Sequence, residues 1–222
     1  MSTPKRKIAF LHTAPPAIPP LVKYYSEAAP DLDITHLMED GLLKLLAQGR
    51  FDIVLGRLRA MTSAARDVYD AELAMITCSS VPLGMAGQLR EELGMPVLKI
   101  DGPMARLSVE AGPKVGIAAT FRPTLEPTSK LIRDTAAMMD RQVQLVTEFV
   151  EGAYDALFAG DLDQHDRLLL DGVRRLSNSG VDSVVLAQVS MARVREAAQR
   201  DSPVPVLSSM DTSLTAIRAM LR

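Results

Sequence analysis

Cys78 is the only cysteine of the 222-residue chain and the side chain most suited to covalent or acid-base chemistry. It follows the apolar run ELAMIT and precedes Ser79, Ser80 and a segment opened by Pro82, which is typical of a strand that leads into a helix. The free N–H groups of a helix N-terminus favour a thiolate and also bind carboxylates. The pattern therefore indicates a reactive sulfur with two serine donors beside it, the alternative being a small buried apolar residue.

Short apolar runs alternate with longer helical patterns along the chain, which predicts a parallel α/β architecture. The predicted strands are KIAFL from Lys7, LDITHL from Leu32, ELAMIT from Glu72, PVLKI from Pro96, KVGIAA from Lys114, QVQLV from Gln142, SVVLA from Ser183 and PVPVL from Pro203. Apolar spacings of three and four predict helices over residues 40–48, 57–70, 82–93, 124–139, 163–178, 190–200 and 211–222. The prolines at 15, 16, 19 and 20 predict a stiff loop, and residues 101–113 a joint.

The same order of elements occurs twice, once in each half of the chain. KIAFLHT at 7–13 matches KVGIAAT at 114–120 with an offset of 107 positions. AMITCSS at 74–80 matches VVLAQVS at 184–190 with an offset of 110, and PVLKI at 96 matches PVLSS at 205 with an offset of 109. Three matches in one order predict that the chain is a duplicated α/β unit.

A duplicated unit predicts two pseudo-symmetric, doubly wound α/β lobes, each with a four-stranded parallel sheet, that face one another across a central cleft. The first lobe is expected at residues 1–103 plus the C-terminal helix near 211–222, and the second at residues 104–210. Open parallel sheets bind ligands beyond the carboxyl ends of their strands, so the residues there form the candidate site. Besides Cys78 as the catalytic residue, the candidate substrate-binding residues are His12, Thr13, Ser79, Ser80, Thr120, Phe121, Gln188 and Ser190.

Composition and charge exclude several classes of function. With 25 basic against 27 acidic residues and a net charge of −2, nucleic acid is not expected as a partner. No apolar stretch approaches a membrane span and no signal-peptide pattern follows the basic start, which predicts a cytoplasmic protein without a membrane partner. Three histidines without ligand spacing predict no metal, and the absence of glycine-rich nucleotide motifs predicts no cofactor. Methionines on helices favour a homo-oligomer.

The residues near the predicted strand ends resemble the aspartate/glutamate/hydantoin racemase superfamily. The resemblance covers nearly the whole chain and rests on HT with prolines after the first strand, HLMED at 36–40, TCSSV at 77–81, KVGIAAT at 114–120 and LAQVSMA at 186–192. It implies two facing α/β lobes around a cofactor-free site. In the racemases of that superfamily, a cysteine from each lobe flanks the substrate's α-carbon, and one thiolate removes a proton while the other thiol delivers one. Cys78 matches the first-lobe cysteine.

The second cysteine of that pattern is missing. Gln188 or, one residue further, Val189 replaces it, and neither exchanges protons near neutral pH. Ordinary two-base racemization is therefore not expected. The sequence favours an isomerase, of the racemase or cis-trans type, that uses a single thiolate at the carbon next to a carboxylate of a small acid.

Two alternatives remain open at this point. The first is a one-cysteine decarboxylase of a malonate-type acid, whose relatives carry their single thiol in the lobe opposite to Cys78. The second is a non-catalytic protein that binds small carboxylates.

Other strand-end residues could complete the site. His12 and His36 are candidates for the missing acid or base, because imidazole titrates near neutral pH. Thr13 and Thr120 occupy equivalent places in the two halves and suit carboxylate oxygens, with capping as the alternative. Gln188 would bind a substrate carbonyl or carboxylate.

Overall fold

The computed structural model describes residues 4–222 as two compact α/β units. One unit comprises the described residues up to Ile100 together with Ser213–Arg222, and the other is Asp101–Thr212. The division falls inside the last helix, so the chain returns to the first unit at its C-terminus. Residues 1–3, which the expected first lobe includes, lie outside the described residues.

The first unit holds a parallel sheet of strand order β2-β1-β3-β4. Its elements are β1 (Arg6–His12), α1 (Ile18–Ala28), β2 (Leu32–Met38), α2 (Gly41–Ala47), α3 (Phe51–Asp67), β3 (Leu73–Ile76), α4 (Leu83–Leu93) and β4 (Val97–Lys99). A 3₁₀ turn at Pro15–Ala17 precedes α1.

The second unit holds a parallel sheet of strand order β6-β5-β7-β8. Its elements are α5 (Gly102–Ala111), β5 (Lys114–Ala119), α6 (Leu125–Met138), β6 (Gln144–Phe149), α7 (Ala153–Phe158), α8 (Leu162–Ser177), β7 (Ser183–Leu186), α9 (Arg195–Asp201) and β8 (Val206–Ser208). Two 3₁₀ turns lie at Arg122–Thr124 and Val189–Val194, and α10 (Ser209–Met220) follows β8.

The two sheets repeat each other in order and in register, as the sequence matches predict. Ile8 pairs with Leu73 in the first sheet, and Val115 pairs with Ser183 in the second, at the same offsets of 107 and 110 found in the sequence. The α/β fold with two four-stranded parallel sheets is thus confirmed.

Three helices were not predicted, and the reasons are local. The expected stiff loop is wrong beyond Ala17, because Pro19 and Pro20 lie in the first turn of α1, where a missing N–H costs no intrahelical bond. The expected joint at residues 101–113 is mostly α5, which also carries a proline in its first turn. The third, α7, has only six residues and is too short for a helical period to show.

The first sheet has two unlike faces, which determine where the site residues lie. Ala9, Leu11 and Ile76 belong to an apolar core that also contains residues of α2, α3 and α4. On the other face, the ring of Phe10 packs edge-on against Tyr25 of α1, with centroids 4.8 Å apart. Successive side chains of a strand point to opposite faces of the sheet. The residues that follow β1 and β3 at the carboxyl edge therefore lie on one face or on the other. Within residues 4–222, no helix has the length and apolar character needed to cross a membrane.

Gly116 of β5 allows α8 to pack closely on the second sheet. A Cβ at position 116 would lie 2.8 Å from Cγ of Leu176. We expect Gly116→Ala to destabilise the protein by about 1–3 kcal/mol through overpacking. Gly56→Ala is the matched control: position 56 of α3 has no atom within 4 Å of a new Cβ, so this change should stabilise by up to about 1 kcal/mol. Urea unfolding of both variants tests the prediction, and equal effects would contradict it.

Candidate active site

Cys78 lies at the carboxyl edge of the first sheet, two residues after β3 ends. The preceding residue still belongs to the strand pairing, because the Thr77 N–H donates to the Leu11 carbonyl at 3.0 Å. Cys78 is half-buried at the margin of the apolar core and starts a turn in which the Val81 N–H donates to its carbonyl. Cys78 therefore packs against the apolar core on one side and remains partly exposed.

The position equivalent to Cys78 in the second unit is Gln188. The Ala187 N–H donates to the Ala118 carbonyl at 3.0 Å, and the Met191 N–H donates to the Gln188 carbonyl. These two bonds repeat those of Thr77 and Val81 in the first unit. Of the two replacements considered from the sequence, Gln188 is thus the residue that corresponds to the thiol, and Val189 follows it.

The side chain of Gln188 is held by Thr120. Its Oε1 accepts the Thr120 backbone N–H at 2.7 Å and the Thr120 hydroxyl at 3.2 Å. Because an amide N–H can only donate, the atom facing Thr120 must be the oxygen of the Gln188 amide. The NH₂ group of that amide therefore points away from Thr120 as a donor, and Thr120 already has an acceptor.

His12, a candidate site residue, is fully buried and belongs to a hydrogen-bonded chain at the same edge of the first sheet. Its Nδ1 lies 2.8 Å from Thr77 Oγ1, whose hydroxyl also reaches the Leu11 carbonyl at 3.1 Å. Its Nε2 lies 2.9 Å from Nδ1 of His36. The contact between the two imidazoles requires one lone pair, so both rings cannot be protonated together.

Burial governs the charge of these histidines. Desolvation, helped by repulsion from a charged His36, lowers the pKa of His12 to about 4. Desolvation also lowers the pKa of His36 below its usual value. His36 additionally lines a cavity of about 270 Å³ beside α1 and β2. Both imidazoles are therefore neutral near pH 7 and act as hydrogen-bonding groups.

The remaining predicted residues have diverse surroundings. Thr13 is 3% exposed, whereas Ser79 and Ser80 are exposed in the turn after Cys78. The helix α4 starts only at Leu83, after this turn. Phe121 is 40% exposed and stacks on the ring of Tyr154, with centroids 4.9 Å apart. Ser190 is half-buried in the 3₁₀ turn after Gln188.

Sequence reasoning missed two polar residues at these edges. Thr77 precedes the thiol and orients His12, and its place at a strand end was a usable signal. Arg122 lies just beyond β5, with its guanidinium carbon 3.9 Å from the ring centroid of Phe149. Nothing in the sequence distinguishes this arginine from those that pair with carboxylates. Across residues 4–222, no group of three or more histidine, cysteine or acidic side chains is arranged to hold a metal ion.

Each of the two repeated parallel sheets carries polar residues at its carboxyl edge, a half-buried thiol in the first unit and an oriented amide in the second, which defines a duplicated α/β protein. A family model, Asp/Glu/hydantoin racemase, matches residues 11–217. The chain belongs to this family. No curated protein matches the sequence significantly.

Solved structures of several activities share the fold. An allantoin racemase from Klebsiella pneumoniae superposes with a TM-score of 0.67 at 15% identity, over 98% of this chain and 88% of that one. An arylmalonate decarboxylase gives 0.64 at 14% identity, over 96% and 92%. A maleate isomerase from Pseudomonas putida S16, solved with maleate, gives 0.58 at 15% identity, over 97% and 92%. At these identities the likeness concerns the fold.

The lowered pKa of His12 predicts a pH-dependent stability. Between the unfolded value near 6.5 and the folded value of about 4, the unfolded chain binds the proton and the folded protein does not. Stability should therefore fall as pH decreases through this window, by about 2 kcal/mol between pH 7 and pH 5. Urea unfolding at the two pH values measures the loss, and His12→Gln should reduce it. An unchanged pH dependence in the variant would contradict the assignment.

Proposed function

We propose that this protein is a cofactor-independent isomerase that acts at the carbon next to a carboxylate of a small acid, with the Cys78 thiolate as its reactive group. The observation that carries the proposal is the unequal pair of equivalent residues: a half-buried thiol at Cys78 and a proton-inert amide at Gln188. Family membership supports chemistry of the racemase and isomerase type. The unequal pair selects a route that needs only one sulfur.

In that route the thiolate adds to a carbon–carbon double bond conjugated with the carboxylate. The new bond joins Sγ to carbon, and the π electrons move toward the carboxylate as an enolate. Rotation about the resulting single bond and expulsion of the thiolate restore the double bond in the other geometry. No proton is gained or lost, so no second thiol is required.

The Gln188 amide is the proposed substrate-binding residue of the second unit. Its oxygen is occupied by Thr120, so its NH₂ group is the donor that it offers to a carbonyl or carboxylate oxygen. A donor held in place before reaction needs little reorganisation, and one such donor contributes about 10²–10³-fold to a rate.

Replacement of the sulfur tests the proposal directly. In a screen of small unsaturated acids, Cys78→Ser should lower kcat by about 10³-fold or more, because a hydroxyl is a far weaker nucleophile at neutral pH. Carboxylate binding, measured by calorimetry, should change little. Turnover that does not depend on the thiol would reject the proposal.

Heavy water separates this route from proton-transfer chemistry. The recovered acid should carry no deuterium at the α-carbon, whereas rapid exchange with inversion would show a racemase. Release of carbon dioxide from a malonate-type acid would instead show a decarboxylase.

The Gln188→Glu variant tests the donor. Glutamate keeps an oxygen for both Thr120 bonds but has no NH₂ group and adds a negative charge. We expect kcat to fall by about 10²-fold or more while the folded structure is retained. Gln188→Asn, a shorter amide, is a control for position, and circular dichroism checks the fold. Full activity in Gln188→Glu would exclude the donor role.

A further inference from the structure

A cavity of about 270 Å³ lies between helix α1 and β2, the edge strand of the first sheet. We call it the α1–β2 cavity. Sites for small molecules commonly measure about 300–1,000 Å³, so this volume suits a ligand smaller than a drug molecule.

The α1–β2 cavity lies on the opposite face of the first sheet from Cys78. Phe10 of β1 packs against Tyr25 of α1 and is paired with His36 of β2. Alternate residues of a strand share a face, and the residues of β2 that line the cavity are Leu32, Ile34 and His36. Cys78 packs against the core on the other face. The cavity is therefore separate from the proposed active site.

The wall of the α1–β2 cavity is mostly apolar. Its apolar lining consists of Val22, Ala29, Pro30, Leu32 and Ile34 with the ring of Tyr25. The Tyr25 hydroxyl already has a partner, Ser213 Oγ at 2.8 Å. Val22 is 44% exposed, so a ligand in the cavity would remove apolar surface from water. The lining therefore favours a ligand with an apolar body.

The lining also contains a cation. Lys5 is its one residue with a formal charge, and no carboxylate within residues 4–222 lies within 4.0 Å of the Lys5 ammonium. The acids nearest in sequence on β2 lie elsewhere: Asp31 pairs with Arg218 at 3.5 Å, and Asp33 alternates with the cavity residues and lies on the other face. The cation is therefore available to an anionic ligand.

The other end of β2 adds no second charge. Lys5 precedes Arg6, which pairs with Leu32, and His36 lies four residues further along β2, about 13 Å away at the usual rise of a strand. The His36 ring stacks on His12 with centroids 5.1 Å apart. Burial lowers the pKa of His36, so its imidazole is neutral near pH 7. A second anionic group would lie against apolar walls without a partner, at a cost in binding free energy.

We propose that the α1–β2 cavity binds a small amphipathic monocarboxylate, with its apolar chain between α1 and β2 and its carboxylate at the ammonium of Lys5. This ligand is distinct from the substrate of the proposed function, and its binding requires no turnover.

Calorimetry with unbranched acids tests the inference on the full-length protein. The probes are butyrate, hexanoate and octanoate, together with adipate and 1-octanol. Each pair of added methylene groups should tighten binding about 10-fold, as expected for buried apolar surface. Octanol, which lacks the charge, should bind about 5- to 10-fold more weakly than octanoate. Adipate, a dianion with the chain length of hexanoate, should bind more weakly than hexanoate.

Variants at exposed positions assign the binding to this cavity. Lys5→Met should reduce the affinity for octanoate to that for octanol and leave octanol unchanged. Ser26→Phe places a ring in the cavity and should abolish binding of every probe. Lys23→Met is the control, because it removes the same charge from an exposed position of α1 outside the lining. Circular dichroism checks the fold of each variant.

Histidine ring signals in nuclear magnetic resonance spectra locate the ligand independently. Octanoate should shift the signals of His36, which lines the cavity, and leave those of His165 in the second unit unchanged. Unchanged His36 signals at saturating octanoate would overturn the inference.

Three further results would also overturn it. They are a wild-type protein that binds none of the monocarboxylates, an affinity for octanoate that is unaltered in Lys5→Met, and displacement of octanoate by maleate, which would indicate binding at the proposed active site.

The outcomes separate this inference from the proposed function. Octanoate binding that depends on Lys5 and persists in Cys78→Ser, without turnover of any acid by the wild type, rejects the isomerase and retains the cavity ligand. Thiol-dependent turnover without octanoate binding does the reverse.

Discussion

Parallel pairing between the first and third strands of each sheet is the constraint on which the site depends. One backbone hydrogen bond beyond the third strand, from Thr77 to Leu11 in one unit and from Ala187 to Ala118 in the other, sets where the chain leaves the sheet. A slip of one residue would exchange the two faces of the strand. The thiol of Cys78 would then lie among the polar groups, and Thr77 would lose His12.

The duplicated scaffold carries different chemistry at equivalent positions. In the first unit, the second residue after β3 is Cys78, which is half-buried. In the second, the corresponding amide is anchored by the residue that follows β5, Thr120. The repeated backbone follows the same course at Cys78 and at Gln188. The side chain at each position then decides whether it offers a nucleophile or a hydrogen-bond donor.

Burial further divides the polar groups by role. His12 is deep enough that its charged form is disfavoured, so it contributes structure through Thr77 and His36 rather than charge near neutral pH. Arg122 is exposed at the second sheet, and its guanidinium lies over the ring of Phe149. Desolvation is the physical reason, because burial penalises the charged form of an imidazole.

Strands were the most predictable part of the chain, because buried parallel strands are short continuous apolar runs bounded by polar residues. All eight were located, although β6 starts two residues later and extends three residues beyond the predicted run of 142–146. Two helices, α1 and α5, were not predicted, and both carry proline in the first turn, where it is tolerated because the missing N–H has no intrahelical partner.

The sequence by itself determined the order of elements, the duplication and the unequal residues at the two equivalent strand ends. Each of these depends only on short runs of neighbouring residues and on the number of positions between the runs. Tertiary structure decided which of those residues meet. Thr120 and Gln188 are 68 positions apart, and His12 and Thr77 are 65 apart. Their distances and their burial arise only when separate strands are brought side by side, and no local pattern records them.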